Sequence, residues 1–560
     1  MSHAINIHSL SFTYGQAAAP ALDNVAAAVE DGSFVVVMGH GGAGKSTLCC
    51  TMNGLIPHFF KGAYAGRVIV GGYDVAEYSI AAMSRMVGLI FQDFEAQLFS
   101  STVELEMAFG PENQQLTRMD IGQRITRYLN LVGLTRKRKR ETTTLSGGEK
   151  QRLCIGSVLA AEPGILVMDE ATTDLDPAGR RDVLSLAGVL RQEGRTLVMV
   201  DESPETAVDA DQIWLMKEGR LLAKGPPQKL LADLPLLESC GVGALPTVAL
   251  FSALGWPGLP LTVEEALALI DQYGLVSRDR SQPITGPASL PGAPILSAQG
   301  LSYRYAACET PALQDIDLAI GEGEFIAILG QNGSGKTTLA KHFNGLLKPT
   351  SGRMLVSGRL TSAYKRYELA RQVGYVFQNP DHQIFAPTVR EEVSFGLRVL
   401  GEDAKTLERN VAEAMAVTGL AGYEDKTPFL LSRGEKQRVA VASVLAIKPR
   451  VIVLDEPMTG LDDRHQRDAL EMLKRLHRMG HTIVMITHAM RMAEAYARRV
   501  VLMKDGRIIG DGPTRSIFAD ETLLSEASLI PSPLARLSNR LGLASLTLEG
   551  IIEEIKAPRA

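Results

Sequence analysis

The sequence predicts two successive α/β domains, each built on a mainly parallel sheet. Three observations lead there. Short apolar, β-branched runs such as FVVVMG, VGLIF, ILVMDE and TLVMVD alternate with helical stretches, the pattern of strands buried on both faces. A long stretch of chain occurs twice. LSFTYG (10–15) returns as LSYRYA (301–306), GHGGAGKST (39–47) as GQNGSGKTT (330–338), and GLIFQDFEAQLF (88–99) as GYVFQNPDHQIF (374–385). Further on, LSGGEKQR (145–152) returns as LSRGEKQR (431–438), and ILVMDEATTDLD (165–176) as VIVLDEPMTGLD (451–462). A repeat this long is a duplicated domain rather than a solenoid unit. Finally, each copy places a Gly-rich turn directly after an apolar strand.

Composition suits that architecture. The 560 residues, 45% hydrophobic and 22% charged, are enough for two to four domains with their own cores. A formal net charge of −5 gives no global grip on nucleic acid. Five cysteines without a CxxC pair argue against a disulfide framework or a zinc site and for a reducing cytoplasm. The start MSHAINIHSL has neither the basic nor the apolar part of a signal peptide. Ser239 to Val263 carries no charge, but Pro246, Pro257, Pro260 and several glycines would break a lipid-exposed helix. Its counterpart, 534–550, holds Arg536 and Arg540, so both segments are expected to be packed helical caps. The expected layout is a first domain over 1–237 with a C-terminal extension over 238–271. A Pro/Gly/Ser-rich linker over 272–293 follows, then a second domain over 294–520 with its own extension over 521–560.

The chemistry concentrates in the repeated segments. Gly39-His40-Gly41-Gly42-Ala43-Gly44-Lys45-Ser46-Thr47 and Gly330-Gln331-Asn332-Gly333-Ser334-Gly335-Lys336-Thr337-Thr338 both contain G-x-x-x-x-G-K-[ST] after a strand and before a helix. Glycines let backbone N–H groups close around phosphates, Lys45 and Lys336 reach the β- and γ-phosphates, and Ser46 and Thr337 ligate Mg²⁺. At the end of a later strand stand Asp169–Glu170 and Asp455–Glu456. The aspartate suits the Mg²⁺ shell, and the glutamate can polarise the attacking water. Paired with a phosphate loop in each copy, they predict nucleotide hydrolysis.

With these motifs in order, the chain resembles the ATP-binding-cassette family, whose signature motif is LSGGEKQR. The resemblance covers nearly everything outside the linker and implies that each domain has a helical subdomain and binds ATP and Mg²⁺. It assigns Gln92 and Gln378 to the glutamine loop that meets metal and nucleotide, and Ser146, Gly147, Gly148, Ser432 and Gly434 to the signature. Asp176 and Asp462 follow the acidic pair. It places Tyr14 and Tyr305 where an aromatic stacks on adenine, with core packing as the rival role. In the family two cassettes pair head to tail, here within one chain, so each ATP meets one phosphate loop and the other copy's signature. A histidine at the end of a late strand contacts γ-phosphate; His488 in VMITHAM matches it, but VMVDESP has Glu202 there. Glu202 and Arg433 would both fall on the site of the first phosphate loop. One fully competent site, using Glu456 and His488, and one impaired site, using Glu170, are therefore expected.

FQNPDHQIF and, less closely, FQDFEAQLF resemble the glutamine-loop helix of energy-coupling-factor importers of vitamins or of cobalt and nickel ions. The resemblance implies a peripheral ATPase at the inner face of the cell membrane. Its partners would be an integral membrane coupling subunit and a separate substrate-binding membrane protein. Leu98, Phe99, Ile384 and Phe385 would be either groove residues for that subunit or core residues of the helical subdomain. Alternatives are a tandem ATPase of a sugar-type importer and a ribosome-associated cassette factor. The run RKRKR (136–140) reads either as a contact to RNA or lipid headgroups or as a solvated helix end.

Overall fold

The computed structural model describes residues 3–15, 17–172, 177–275, 294–306, 310–457 and 463–556. Asp176, Asp462 and most of the expected linker, 276–293, lie outside these residues. The chain divides into two compact units, one formed by Met1–Leu175 with Gly179–Ala266 and the other essentially by Leu267–Ala560.

In the first unit, β1 (His3–Tyr14), β2 (Leu22–Glu30), β4 (Gly62–Val70) and β5 (Tyr73–Asp74) make an antiparallel sheet in the order β2-β1-β4-β5. The strands β3 (Phe34–Met38), β6 (Val87–Ile90), β7 (Ile165–Asp169), β8 (Thr196–Val200), β9 (Gln212–Lys217) and β10 (Arg220–Gly225) make a second sheet, ordered β10-β9-β3-β8-β7-β6. All of its pairings are parallel except β9 with β10. The mainly parallel core is therefore present, and the antiparallel sheet is an addition that the apolar runs did not announce. Its strands alternate between core and solvent, so they lack the continuous apolar run that marks the parallel strands.

Every residue of β3 is buried, for two different reasons. Val35 and Val37 face the core shared with the antiparallel sheet, whereas Phe34, Val36 and Met38 face the core shared with the helices. Successive side chains point to opposite faces, so a strand between two layers needs apolar residues at every position.

The second unit repeats this plan. β11 (Pro294–Tyr303), β12 (Leu313–Gly321), β14 (Ser351–Val356) and β15 (Arg359–Leu360) form the antiparallel sheet. β13 (Phe325–Gly330), β16 (Val373–Val376), β17 (Val451–Asp455), β18 (Thr482–Thr487), β19 (Arg499–Lys504) and β20 (Arg507–Pro513) form the other, in the order β16-β17-β18-β13-β19-β20.

Between β6 and β7 the first unit inserts helices Val103–Asn113, Arg118–Leu131 and Gly147–Ala160; the second inserts Val389–Val399, Ala404–Val417 and Arg433–Leu445. Side chains of Thr102, Thr117, Thr388 and Asp403 accept from backbone N–H groups of the first turns they precede, satisfying donors that a helix start leaves unpaired. The uncharged segment forms the helix Pro246–Leu254, with Val248, Leu250 and Phe251 fully buried. Among the described residues no helix is long and apolar enough to cross a membrane.

Candidate nucleotide sites

Each phosphate loop joins a parallel strand to a helix, β3 to Lys45–Met52 and β13 to Lys336–Phe343. The turn depends on glycine at one position in particular. Gly44 and Gly335, the residues preceding the helices, both have φ +98, and a Cβ there would come within 2.4 Å of Ala21 O or 2.7 Å of Ala312 O. Any other residue would meet both strain and a clash.

The loop lysines are buried, Lys45 at 4% and Lys336 at 5% exposure. Lys45 Nζ donates to Gly39 O (2.7 Å) and His40 O (3.1 Å); Lys336 Nζ donates to Gly330 O and Gln331 O, both 2.8 Å. His40 N also donates to Cys240 O at 2.8 Å, fastening the first loop to the segment before the terminal helices.

Beyond the lysines the two units diverge. In the second, Asp455 accepts from Thr337 Oγ1 (3.0 Å) and from Tyr375 OH (2.7 Å). Burial raises the Asp455 pKa, and these two hydrogen bonds work against it. In the first unit Ser46 hydrogen-bonds Asp169, but Leu89 stands where Tyr375 would be, and Asp169 Oδ1 is buried without a hydrogen-bond partner among the described residues. Burial likewise raises the Asp169 pKa.

One carboxylate and one hydroxyl per unit are hard oxygen donors. They suit Mg²⁺, which is held by few protein groups and completes its shell with phosphate and water. Asp169 Oδ1, buried and unpaired, fits that role. Ser46 with Asp169 and Thr337 with Asp455 would hold the ion, which supplies charge neutralisation between phosphates. Among the described residues no cluster of three His, Cys, Asp or Glu forms a separate metal centre.

The adjacent glutamates adopt left-handed backbone conformations, Glu170 at φ +52 and Glu456 at φ +48. In the second unit His488 Nδ1 lies 2.9 Å from Glu456 Oε1. The ring thereby orients the carboxylate that can polarise a water. In the first unit Gln92 Nε2 donates to Glu170 Oε2 at 2.6 Å, and Lys45 Nζ is 3.8 Å from Glu170 Oε1. Burial, the largest cause, pushes the Glu170 pKa up to about 7; Lys45 opposes this, and Glu202 and Asp169 add to it. Glu202, at the histidine position, takes a bond from Lys45 Nζ at 3.3 Å. Gln378 is solvent-exposed.

Tyr14 OH pairs with Thr47 Oγ1 at 3.3 Å, and Tyr305 OH with Thr338 Oγ1 at 3.2 Å. Both rings therefore stand at the phosphate-loop helix, and Tyr305 remains 37% exposed. Tyr14 also meets Phe60 edge-on, 6.3 Å between centroids. The structure thus brings the loop, the acidic pair and the late-strand residue together within each unit. The signature serines are held elsewhere in their own units, where Ser146 and Ser432 cap their helices in boxes with Glu149 and Glu435. Gly147 has open space beyond its Cβ position, so the Arg433 variant of the motif is sterically free.

Sequence reasoning missed several features, among them these. Tyr375 was passed over because its contact spans 80 residues of chain, and nothing in GYVF marks it. Gln97 and Gln383, though visible in the motif, have an unforeseen task. Gln97 accepts from Phe91 N and from Cys154 Sγ, and Gln383 accepts from Phe377 N and donates to Ala440 O. Each ties its glutamine loop to the helix that begins at its signature. The basic run is partly consumed at home, with Arg138 on Glu104 (2.6 Å) and Lys137 on Glu149.

Comparison with known proteins agrees. The family model described as ABC transporter matches residues 22–173 and 313–459. An ABC transporter ATP-binding protein of Caldanaerobacter subterraneus subsp. tengcongensis is 46% identical over 558 residues, 98% of each chain. One of Methanosarcina acetivorans is 38% identical over 554 residues, covering 96% of this chain and 90% of its own. Among solved structures, cbiO1 from Clostridium perfringens, described as part of the ABC transporter complex cbiONQ, is 36% identical. It covers 44% of this chain and 98% of its own, with a TM-score of 0.39. The chain belongs to the ABC transporter family, as a tandem ATP-binding protein whose two cassettes are ATPases that power transport.

Proposed function

We propose that this chain is the ATP-hydrolysing subunit of an energy-coupling-factor type importer, taking up a vitamin, a vitamin precursor, or cobalt or nickel ions. It would work at the cytoplasmic face of the cell membrane, with an integral coupling subunit and a separate substrate-binding membrane protein. ATP binding would close the paired cassettes and hydrolysis reopen them, moving the membrane partner through its differential affinity for the two states.

One observation carries the membrane-coupling part of this reading. In each unit a buried glutamate takes two loop amides: Glu106 from Phe99 and Ser100, Glu392 from Phe385 and Ala386. The loop so fixed displays an exposed phenylalanine stacked edge-on against another, Phe99 on Phe109 and Phe385 on Phe395. Phe99 is 63% and Phe385 57% exposed, whereas Ile384 is a core residue. A rigidly presented aromatic pair beside the glutamine loop suits an amphipathic helix of a partner. An affinity pull-down from gently solubilised native membranes tests it. A small polytopic subunit together with a compact substrate-binding membrane protein is expected. Recovery of a sugar-type permease, or of ribosomal proteins with no membrane partner, would overturn it.

The second part of the reading is asymmetry. The unit with Lys336, Asp455, Glu456 and His488 would turn over fully, and the unit with Lys45, Glu170 and Glu202 would be impaired. An anion in place of the histidine cannot donate to γ-phosphate. Glu456→Gln should therefore abolish most ATPase activity and Glu170→Gln much less; equal losses would refute the asymmetry.

A further inference from the structure

In the first unit the replacement of histidine by glutamate is part of a larger arrangement. Lys45 has three N–H donors. Two are used by Gly39 O and His40 O, and the third reaches Glu202 Oε1 at 3.3 Å. Glu202 follows a residue fixed on every side. The Asp201 carboxylate, 5% exposed, accepts from Ser203 N (2.8 Å), Thr172 Oγ1 (2.6 Å), Thr206 Oγ1 (2.9 Å) and Arg180 (3.1 Å to each oxygen). A buried carboxylate with this many charge-assisted bonds is rigidly placed. In the second unit the positions of Asp201, Arg180 and Thr206 hold Thr487, Gln466 and Met492, so among the described residues this carboxylate-centred buttress is found in the first unit. The backbone that carries Glu202 toward Lys45 is thereby fixed by its neighbour Asp201.

We infer that Glu202 occupies the place of a terminal phosphate on Lys45, so that the first site selects a nucleoside diphosphate over the triphosphate. This rests on reading Lys45 as a phosphate-binding lysine. A diphosphate can be cradled by the loop amides, with one Lys45 N–H turned from the loop carbonyls to its β-phosphate, while Glu202 keeps another. A triphosphate must take the lysine from Glu202 and set its γ-phosphate charge near three carboxylates, Asp169, Glu170 and Glu202. In the second unit the corresponding carboxylates are two, and His488 stands opposite Glu456.

The test uses the full chain carrying Lys336→Ala, so that bound nucleotide reports the first site, and measures dissociation constants for ADP and for the β,γ-imido analogue of ATP by calorimetry. With Glu202 intact, ADP should bind at least about tenfold tighter, a preference that one like-charge contact at the surface of a protein can supply. Glu202→Gln should bring the two ligands to within about threefold of each other. Arg180→Ala, which loosens the buttress, should shift the ratio the same way but less. Lys45→Ala separates the two levels of the argument. If it abolishes binding while Glu202→Gln leaves the ADP-to-triphosphate ratio unchanged, the selection falls and the phosphate site stands. If both nucleotides still bind the Lys45→Ala chain, the phosphate-lysine reading falls and the selection with it. Should Glu202→Gln lower the melting temperature, Glu202→His, the residue of the second copy, is measured by the same criterion.

Discussion

Glu494 is buried to 8% exposure on the helix Met490–Tyr496, which follows His488. Its Oε1 accepts from Ser532 N at 3.1 Å, holding the residue that caps the helix Pro533–Leu541 of the C-terminal extension. Burial raises its pKa from 4.5 to about 7, against the opposing effects of the Ser532 bonds and Arg491. A displacement of that size corresponds to about 3 kcal/mol. The folded state binds the proton more tightly than the unfolded one, so between pH 4.5 and about 7 stability falls as pH rises. Below 4.5 both states are protonated and the penalty is absent; above 7 it is complete. Glu494→Gln removes the charge but keeps an oxygen for Ser532 N. The substituted chain should therefore be more stable at pH 8, by up to about 3 kcal/mol or several degrees in Tm, and indistinguishable near pH 4.5. Calorimetric melts of both chains from pH 5 to 8, following the transition of the second unit, measure the difference. A gap that does not widen with pH, or a glutamine variant less stable at pH 8, would refute the reasoning.

Tyr375→Phe deletes a bond to a buried carboxylate and should destabilise the second unit by about 1.5–3 kcal/mol in urea melts at neutral pH; an unchanged midpoint would show that Asp455 does not depend on it. Gly374→Ala places a Cβ 2.3 Å from Val444 Cγ1 and 2.9 Å from Pro449 Cγ, an overpacking that should cost about 1–3 kcal/mol. Gly147→Arg, with nothing within 4 Å, should cost less than about 0.5 kcal/mol in the same melts. Tyr14→Ala should weaken ATP binding at the first site while leaving inorganic tripolyphosphate untouched; equal weakening of both would mean that the ring supports the fold rather than the base. With Glu456→Gln silencing the second unit, residual ATPase that uses Glu170 as base should climb as pH rises through about 7, since only the ionised form accepts a proton. A flat profile would remove Glu170 from that role.

What the sequence disclosed was what is local. A phosphate loop is nine consecutive residues whose conformation follows from glycine spacing, so Lys45 and Lys336 could be placed before any fold was known. The acidic pairs were equally readable, because a strand end fixes where consecutive side chains emerge. Duplication then made each motif vouch for its counterpart. The antiparallel sheet was harder to see, since β1 and β2 are half-exposed and their pattern is not a continuous apolar run. Tyr375 and the Asp201 cluster were invisible for another reason. Their meaning lies in contacts between β16 and β17 and between the helix Pro177–Gln192 and the turn after β8. No composition or spacing encodes such pairings. VMVDESP showed a missing histidine; only the structure showed how firmly Asp201, the residue before its replacement, is fixed.

The left-handed backbone at Glu170 and Glu456 bears on how loss of function here can be interpreted. A side chain in this region is held there at a cost of about 1–2 kcal/mol, met by the strand that precedes it and by amide bonds to Val200 O and Ile486 O. Replacement by glycine would relieve that strain as it removed the carboxylate, and replacement by valine would deepen it. Either change alters the turn and the chemistry together. Glutamine alters chemistry alone, so a chain inactivated that way is the one whose defect can be attributed to the missing charge.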